Sequence, residues 1–217
     1  MMKGLLDKID FIERKLRELF STTRQGFVEL RKVMEENNPN LVKKLEEIEK
    51  KSDEINLLIF RTAADTIALY APVAHTMRYI LGTMQISSFC ERVCDLIYEI
   101  GEFIPFELDE DLEKIREEML SMIDNLHKML EIIETAFEKH EIDKIDEKLT
   151  ELDTKVDNKY NEIKEQLAKY VAKKCTKART VFDMLLSIRY LERIGDIIAK
   201  MGARLIFIEE NRIVFIK

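Results

Sequence analysis

Near its C-terminal end the chain carries the motif Tyr190-Leu191-Glu192-Arg193-Ile194-Gly195-Asp196. An earlier stretch, Phe89-Cys90-Glu91-Arg92-Val93-Cys94-Asp95, has the same Glu-Arg-x-x-Asp frame 101 residues before it (91 to 192, 95 to 196). A fixed spacing of this kind indicates an internal repeat. Residues four apart lie on one face of a helix, so each stretch presents two carboxylates in the same direction.

Both acidic pairs point toward the apolar side of their helices. At about 100° per residue, Glu192 lies beside Ile188 and Glu91 lies next to Ile80. Two like charges about 4 Å apart cost roughly 4 kcal/mol at an effective dielectric of 20. Protonation, a basic partner or a bound cation must therefore offset the repulsion and the lost hydration.

The composition restricts the class of protein. The 217 residues are 35% charged and 46% apolar, with 6 Gly, 3 Pro and no Trp, as is typical of long amphipathic helices. A net charge of −7 argues against nucleic-acid binding, which favours clustered Lys and Arg. No apolar run reaches about 18 residues and residues 1–7 lack a secretory apolar region. We therefore expect a cytoplasmic protein without direct membrane insertion.

Apolar residues three and four apart predict six long helices. Turn residues at 37–40 separate the first two, Pro72 marks the start of the third, and an acidic connector at 106–111 precedes the fourth. The other predicted bounds are 9–34, 41–70, an end of the third helix near 101–105, then 141–173 and 176–208.

The first half of the apolar pattern returns in the second half with an offset of 103 residues. Short connectors make sequential helices antiparallel. We therefore predict an all-α fold, a tandem repeat of two three-helix up-down-up bundles over residues 1–104 and 109–217. The recurring positions are Ile12, Leu16, Leu19, Phe27, Leu30 and Met34, and then Ile115, Met119, Met122, Leu130, Ile133 and Phe137.

A second set of carboxylates follows the same duplication. Glu49 and Asp53 form an acidic pair on the predicted second helix, and an offset of 104 residues reaches Asp153 and Asp157 on the fifth. Asp53 lies 19 residues before Pro72 and Glu91 lies 19 after it. Antiparallel neighbours therefore place the two pairs of each repeat at the same level.

The cysteines and histidines do not form a recognisable metal site. Cys90 and Cys94, four apart on the apolar side of their helix, are able to ligate a soft metal, but free Cys is more often a small buried hydrophobe. The third cysteine, Cys175, leaves an odd count without a disulfide pattern. No histidine completes a Glu-x-x-His motif, so the di-iron bundle signature is missing.

Three segments together resemble the PhoU family of phosphate-uptake regulators. Residues 62–80 with the acidic pair Glu91 to Asp95 resemble the end of the family's first repeat, and 188–196 is similar to the end of its second. Residues 153–160 resemble its middle-helix pattern. The chain departs from the family in having Cys94 where Gly is frequent and Lys200 where Asn is frequent.

The resemblance implies a cytosolic regulator that couples a phosphate ABC transporter, through its ATPase subunit, to a sensor histidine kinase. It also implies metal cations at the acidic pairs, with iron, zinc or magnesium- and calcium-type ions as candidates, and we expect a homodimer. Carried over by position, the candidate metal ligands are Glu49, Asp53, Glu91, Asp95, Asp153, Asp157, Glu192 and Asp196.

The alternative for these acids is a charged face paired with nearby cations, for which Arg92, Arg193, Lys51, Lys155 and Lys200 are available. If metal binds, all-oxygen ligation favours a hard cation or iron over zinc. No glycine-rich loop or basic cluster accompanies the arginines at 78 and 189, so spacing does not support a direct phosphate sensor.

Two function classes follow. The first is a non-enzymatic, metal-binding adaptor that presents helical surfaces to a transporter and a kinase. The second is a carboxylate-bridged, metal-dependent bundle enzyme, a hydrolase or oxidase. An enzyme requires converging acid, base or nucleophile groups in a pocket, and no such arrangement is visible in the sequence, which favours the adaptor. The tail 212–217 is apolar enough to pack on its own chain or on another subunit.

Overall fold

The computed structural model describes residues 2–36, 38–174 and 177–216. Over these residues the chain forms six long α-helices and one short 3-10 turn at Pro39–Leu41. The helices are α1 (Met2–Glu36), α2 (Val42–Tyr70), α3 (Ala74–Phe103), α4 (Glu110–Lys139), α5 (Ile145–Lys173) and α6 (Ala178–Glu210).

Most helix ends lie within a few residues of the predicted positions, and two starts differ more. Helix α1 begins at Met2 rather than near Ile9, which extends it by about two turns. Helix α5 begins at Ile145 rather than near 141, because His140 and Lys144 adopt left-handed conformations that end α4 and delay α5. The predicted start of α6 at Thr176 lies outside the described residues.

The six helices pack in two layers. In one layer α2, α3, α6 and α5 lie side by side in that order, and in the other α1 packs on α2 and α3 while α4 packs on α5 and α6. The two repeats meet through α3 against α6 and through α1 against α4. This arrangement places the α2–α3 groove and the α5–α6 groove, which carry the acidic pairs, in the same layer.

The duplicated apolar positions form the centre of the core. All six in the first repeat are at most 1% exposed, and all six in the second are at most 3% exposed, which confirms the predicted pairing of these positions. Buried side chains of both repeats belong to one continuous cluster. The tandem fold is therefore confirmed, while the boundaries at 104 and 109 stay a prediction.

Gly82 sets the distance between the two repeats. A Cβ atom at this position of α3 would lie 2.4 Å from Cγ1 of Ile208 on α6. Ile208 is almost fully buried and has little room to move. The hydrogen atom of Gly82 therefore permits a close approach of α3 and α6 that a larger residue would prevent.

The structure bears on two of the open alternatives, those for the cysteines and for the tail. Cys90 and Cys94 are buried free thiols, as expected for small core residues. Beyond α6, Val214 and Ile216 pack against the core of the same chain, while Ile213 and Phe215 are 73% and 90% exposed. The tail thus docks with alternate residues and leaves two large apolar side chains in solvent. Within the described residues, no helix combines the length and apolarity needed to cross a bilayer.

Candidate metal-binding sites

In the first repeat, the groove between α2 and α3 gathers the predicted acids. Glu49 and Asp53 of α2 and Asp95 of α3 each place one carboxylate oxygen within 4.8 Å of the other two. Oxygens that share one hard cation at about 2.0–2.6 Å must lie within roughly this separation. We refer to these three residues and Glu91 as the first acidic cluster.

Glu91 completes the first acidic cluster from one turn earlier on α3. Burial, followed by the charges of Asp95 and Asp53, raises the pKa of Glu91 to about 7. The pKa of Glu49 is also raised, by burial and then by Asp53 and Asp95. The mutual effects of these carboxylates show that α2 and α3 bring four negative groups together, at the register that the equal distances from Pro72 predict.

In the second repeat, the groove between α5 and α6 brings together the equivalent four residues, Asp153, Asp157, Glu192 and Asp196, here called the second acidic cluster. Burial, then the charges of the other three, raises the pKa of Asp153 to about 6. Burial and Asp196 also raise the pKa of Asp157. Across the described residues, however, only the first repeat offers a trio of ligand atoms within 4.8 Å, so the second acidic cluster is more open.

The two repeats differ at one position beside the acidic clusters. Gly195 on α6 leaves space for Asp153, whose Oδ1 lies 2.9 Å from where a Cβ atom of residue 195 would be. Asp153 is accordingly only 4% exposed. The equivalent of Gly195 in the first repeat is Cys94, which is fully buried with its Sγ 3.6 Å from Oγ1 of Thr23. Glu49, which is equivalent to Asp153 in the first repeat, is more exposed than Asp153.

One carboxylate oxygen of the second acidic cluster has no protein partner among the described residues. Oε1 of Glu192 accepts a hydrogen bond of 2.6 Å from Arg189, while Oε2 of Glu192 is buried and unpaired. A buried oxygen left without a donor is costly, and a bound cation is one group that satisfies it. The residues present therefore fit a cation in the first repeat, where three oxygens converge, and a cation in the second repeat would satisfy the unpaired oxygen of Glu192.

Basic residues neutralise these acids only in part. Arg92 donates to Asp95 at 3.0 Å, and Arg189, which sequence reasoning considered only for phosphate, pairs with Glu192. The sequence already contains the signal for both ion pairs, because each arginine lies three residues from the acid on the same helix. Lys51 and Lys155 instead pair with Glu18 and Glu151, which lie outside the clusters. In the described part of the chain, Arg193 and Lys200 form no ion pair with any acid.

The clusters are open to solvent and consist of carboxylates. Asp53, Asp157 and Asp196 are exposed, and Glu91 and Glu192 are half-buried. Oxygen ligands at an open surface suit a hard cation such as magnesium or calcium, or iron. Two histidines lie elsewhere: His127 stacks on Phe27, and His140 pairs with Glu209. The arrangement can concentrate negative charge and hold a cation.

Fold and site define a class of protein: a duplicated three-helix chain with one acidic cluster per repeat. Comparison with known proteins agrees, since the PhoU domain of the PhoU family matches residues 16–104 and again 119–205. The chain is 31% identical over 215 residues to a phosphate-specific transport system accessory protein PhoU homolog of Archaeoglobus fulgidus, covering 99% of this chain and 100% of that relative. The chain belongs to the PhoU family.

Other relatives and solved structures agree with this assignment. A PhoU homolog of Thermotoga maritima is 29% identical over 182 residues, covering 82% of this chain and 77% of that relative. The crystal structure of PhoU from Pseudomonas aeruginosa superposes with a TM-score of 0.84 at 16% identity, covering 95% of this chain and 99% of that one. The phosphate transport system regulatory protein PhoU of Streptococcus pneumoniae gives 0.85 at 19% identity, with coverages of 97% and 99%. These two likenesses concern the fold.

Proposed function

We propose that this protein is a non-enzymatic regulator of a phosphate transport system. The observation that carries the proposal is the family match in both repeats, together with a relative over the whole chain that is named an accessory protein of such a system. The two clusters support an adaptor because several of their acids lie at an open surface. The regulator acts in the cytoplasm, where it reaches the ATPase subunit of a phosphate ABC transporter and a sensor histidine kinase.

The second part of the proposal is that both acidic clusters hold cations. Glu49, Asp53 and Asp95 with Glu91 would hold one cation, and the four acids of the second acidic cluster would hold another. A bound cation would supply positive charge that neutralises repelling carboxylates and fixes α2 against α3 and α5 against α6. The proposal rests on the raised pKa values of Glu91 and Asp153 and on the converging oxygens of the first acidic cluster.

The third part concerns the surface used for contact. Leu57 and Phe60 of α2 are 49% and 53% exposed and follow Asp53 on the same face of the helix at four- and seven-residue spacing. Leu81 of α3 is also exposed. An apolar strip beside the first acidic cluster offers a contact surface for the transporter ATPase or for the second subunit of a homodimer.

Cation binding is tested by elemental analysis of the purified protein and by melting curves with and without chelator. A cation present at about a hundredfold over its dissociation constant adds roughly 2.7 kcal/mol, so chelation should lower the Tm by several degrees. The variant Glu91→Gln with Asp95→Asn should lose the part of this response that belongs to the first acidic cluster. Glu117→Gln on α4 with Asp65→Asn on α2 removes two charges from exposed positions outside the clusters and should keep the full response. An unchanged melting curve in chelator contradicts the cation proposal.

The regulatory role is tested separately, by capture of the transporter ATPase from the same organism on immobilised protein. Phe60→Ser should weaken capture, whereas Phe182→Ser, which changes an equally exposed aromatic residue on α6, should not. The regulatory proposal would be rejected if the captured fraction contained no ATPase and if deletion of the gene left phosphate-dependent gene expression unchanged.

A further inference from the structure

A pocket between α3, α6 and the C-terminal tail borders the second acidic cluster at Asp196, and its other lining residues have no role in the proposed function. It has a volume of about 540 Å³, within the roughly 300–1,000 Å³ of small-molecule sites. Phe89 of α3, Phe207 of α6 and Phe215 of the tail contribute aromatic walls. The docked tail therefore converts a groove between two helices into a pocket with apolar side chains on each wall.

Two cations stand on the α6 wall of this pocket. Lys200 and Arg204 are one turn apart and both line it, and like charges at this spacing repel each other on a helix. In the described residues, neither side chain forms an ion pair or a hydrogen bond. By contrast, Arg179 and Arg189 of the same helix pair with Asp183 and Glu192.

The two cations therefore give the pocket a positive charge next to its apolar side chains. Asp196 is an acid that also lines the pocket. It belongs to the second acidic cluster and does not pair with Lys200 within the described part of the chain. Two unpaired cations next to aromatic and aliphatic walls match a molecule with an anionic head and an apolar body. An uncharged apolar ligand would gain no electrostatic attraction from the two cations.

We propose that this pocket, here called the tail pocket, binds an amphiphilic anion, with its carboxylate or phosphate group at Lys200 and Arg204 and its apolar portion against Phe89, Phe207 and Phe215. The alternate burial of the tail supports this arrangement. Val214 and Ile216 anchor the tail to the core, so Phe215 is held over the pocket although it is largely exposed without a ligand. A ligand in the pocket would cover this ring.

The test is isothermal titration of the full chain with dodecanoate, dodecyl phosphate and dodecanol below their aggregation concentrations. We expect saturable binding of the two anions and weaker binding of the alcohol. Lys200→Gln with Arg204→Gln should weaken both anions about tenfold, or about 1.4 kcal/mol, and leave dodecanol within about twofold. Ala203→Phe, which fills the tail pocket, should weaken all three ligands. Comparison of the carboxylate with the phosphate, and with vesicles of anionic phospholipid, distinguishes a free fatty acid from a lipid headgroup.

Lys43→Gln with Lys164→Gln removes the same two charges from exposed positions on α2 and α5 and should bind the anions like the original chain. Circular dichroism and the Tm of every variant show whether the fold is retained. Failure of the anions to bind, or equal binding to the Lys200 and Arg204 variant, overturns the proposal. The proposal would also be overturned if the chain bound an acidic apolar peptide instead of the amphiphiles. Self-association that Phe215→Ser abolishes, without amphiphile binding, would overturn it too.

Discussion

Glu91 shows at the scale of one residue how the fold opposes ionisation. Its carboxyl group is half-buried, and Asp53 and Asp95 face it from α2 and from its own helix, with Arg92 as the nearest opposing charge. Burial is the largest cause of its raised pKa, so the neutral form is favoured in the folded chain. A cation at the first acidic cluster would reverse this preference, since it stabilises the ionised form.

The raised pKa of Glu91 predicts that the stability of the fold depends on pH in the absence of cations. Because folding raises the pKa of Glu91 from 4.5 to about 7, its contribution is fully present below about pH 4.5 and is lost as the pH rises through about 7. In chelator, Glu91→Gln should flatten the decline of Tm between these pH values and raise the Tm at pH 7.5 by about 2–4 °C, the effect of about 1 kcal/mol in a chain of this size.

The control for this prediction is Glu117→Gln, an exposed position on α4, which should reproduce the pH profile of the original chain. A profile that declines equally in the Glu91→Gln variant would show that Glu91 is not the titrating group.

At the scale of helices, the approach of α5 to α6 depends on Gly195. A side chain at this position would collide with Oδ1 of Asp153 and would also touch Leu126 and Val156 at 3.5 and 3.6 Å. These two are fully buried core residues, so the carboxylate is the group with freedom to move. The close contact of two helices thus keeps one acid buried in the second acidic cluster.

Gly195→Ala should therefore move the carboxylate of Asp153 toward solvent. Because burial is the main cause of its raised pKa, the pKa of Asp153 should fall from about 6 toward 3.8. Carbon-13 NMR titration of the aspartate side chains measures this shift without any cation. Gly26→Ala, which meets apolar atoms of Ile97 and Ile48 instead, should leave the value unchanged. A pKa that stays near 6 in Gly195→Ala would show that the glycine is not what buries Asp153.

On the scale of the whole molecule, the two repeats share one core. Their buried side chains form one cluster, and α3 and α6 approach closely at Gly82. On the other layer, Arg31 of α1 pairs with Asp124 of α4 at 2.5 Å, and Arg24 with Glu134 at 3.8 Å. Loss of one repeat would expose the apolar face of the other.

Unfolding should consequently be cooperative across both repeats. Differential scanning calorimetry should show one transition, with a calorimetric enthalpy close to the van't Hoff enthalpy. Gly82→Val, which separates α3 from α6, should lower the Tm and should broaden or split the transition. Two transitions in the original chain would indicate that the repeats unfold independently. Leu69→Val, an exposed change on α2, serves as the control and should preserve a single transition.

The helices and their duplication were predictable because their signals are local or periodic. Apolar spacing located the core stripes, and the equal distances of Asp53 and Glu91 from Pro72 predicted which helices bring acids together. The helix starts at Met2 and Ile145 were not predicted. His140 and Lys144 adopt left-handed conformations, but neither is glycine, the residue type that would have indicated such a conformation in the sequence.

The sequence by itself determined six amphipathic helices, their twofold repetition and the eight acids on matching faces, because each of these depends on spacing along one chain. The tertiary structure was needed to establish that the first acidic cluster is tighter than the second and that the tail closes a pocket over Lys200 and Arg204. These features depend on the distance between helices, and that distance is set at positions such as Gly82, Gly195 and Cys94, which meet residues remote in the chain.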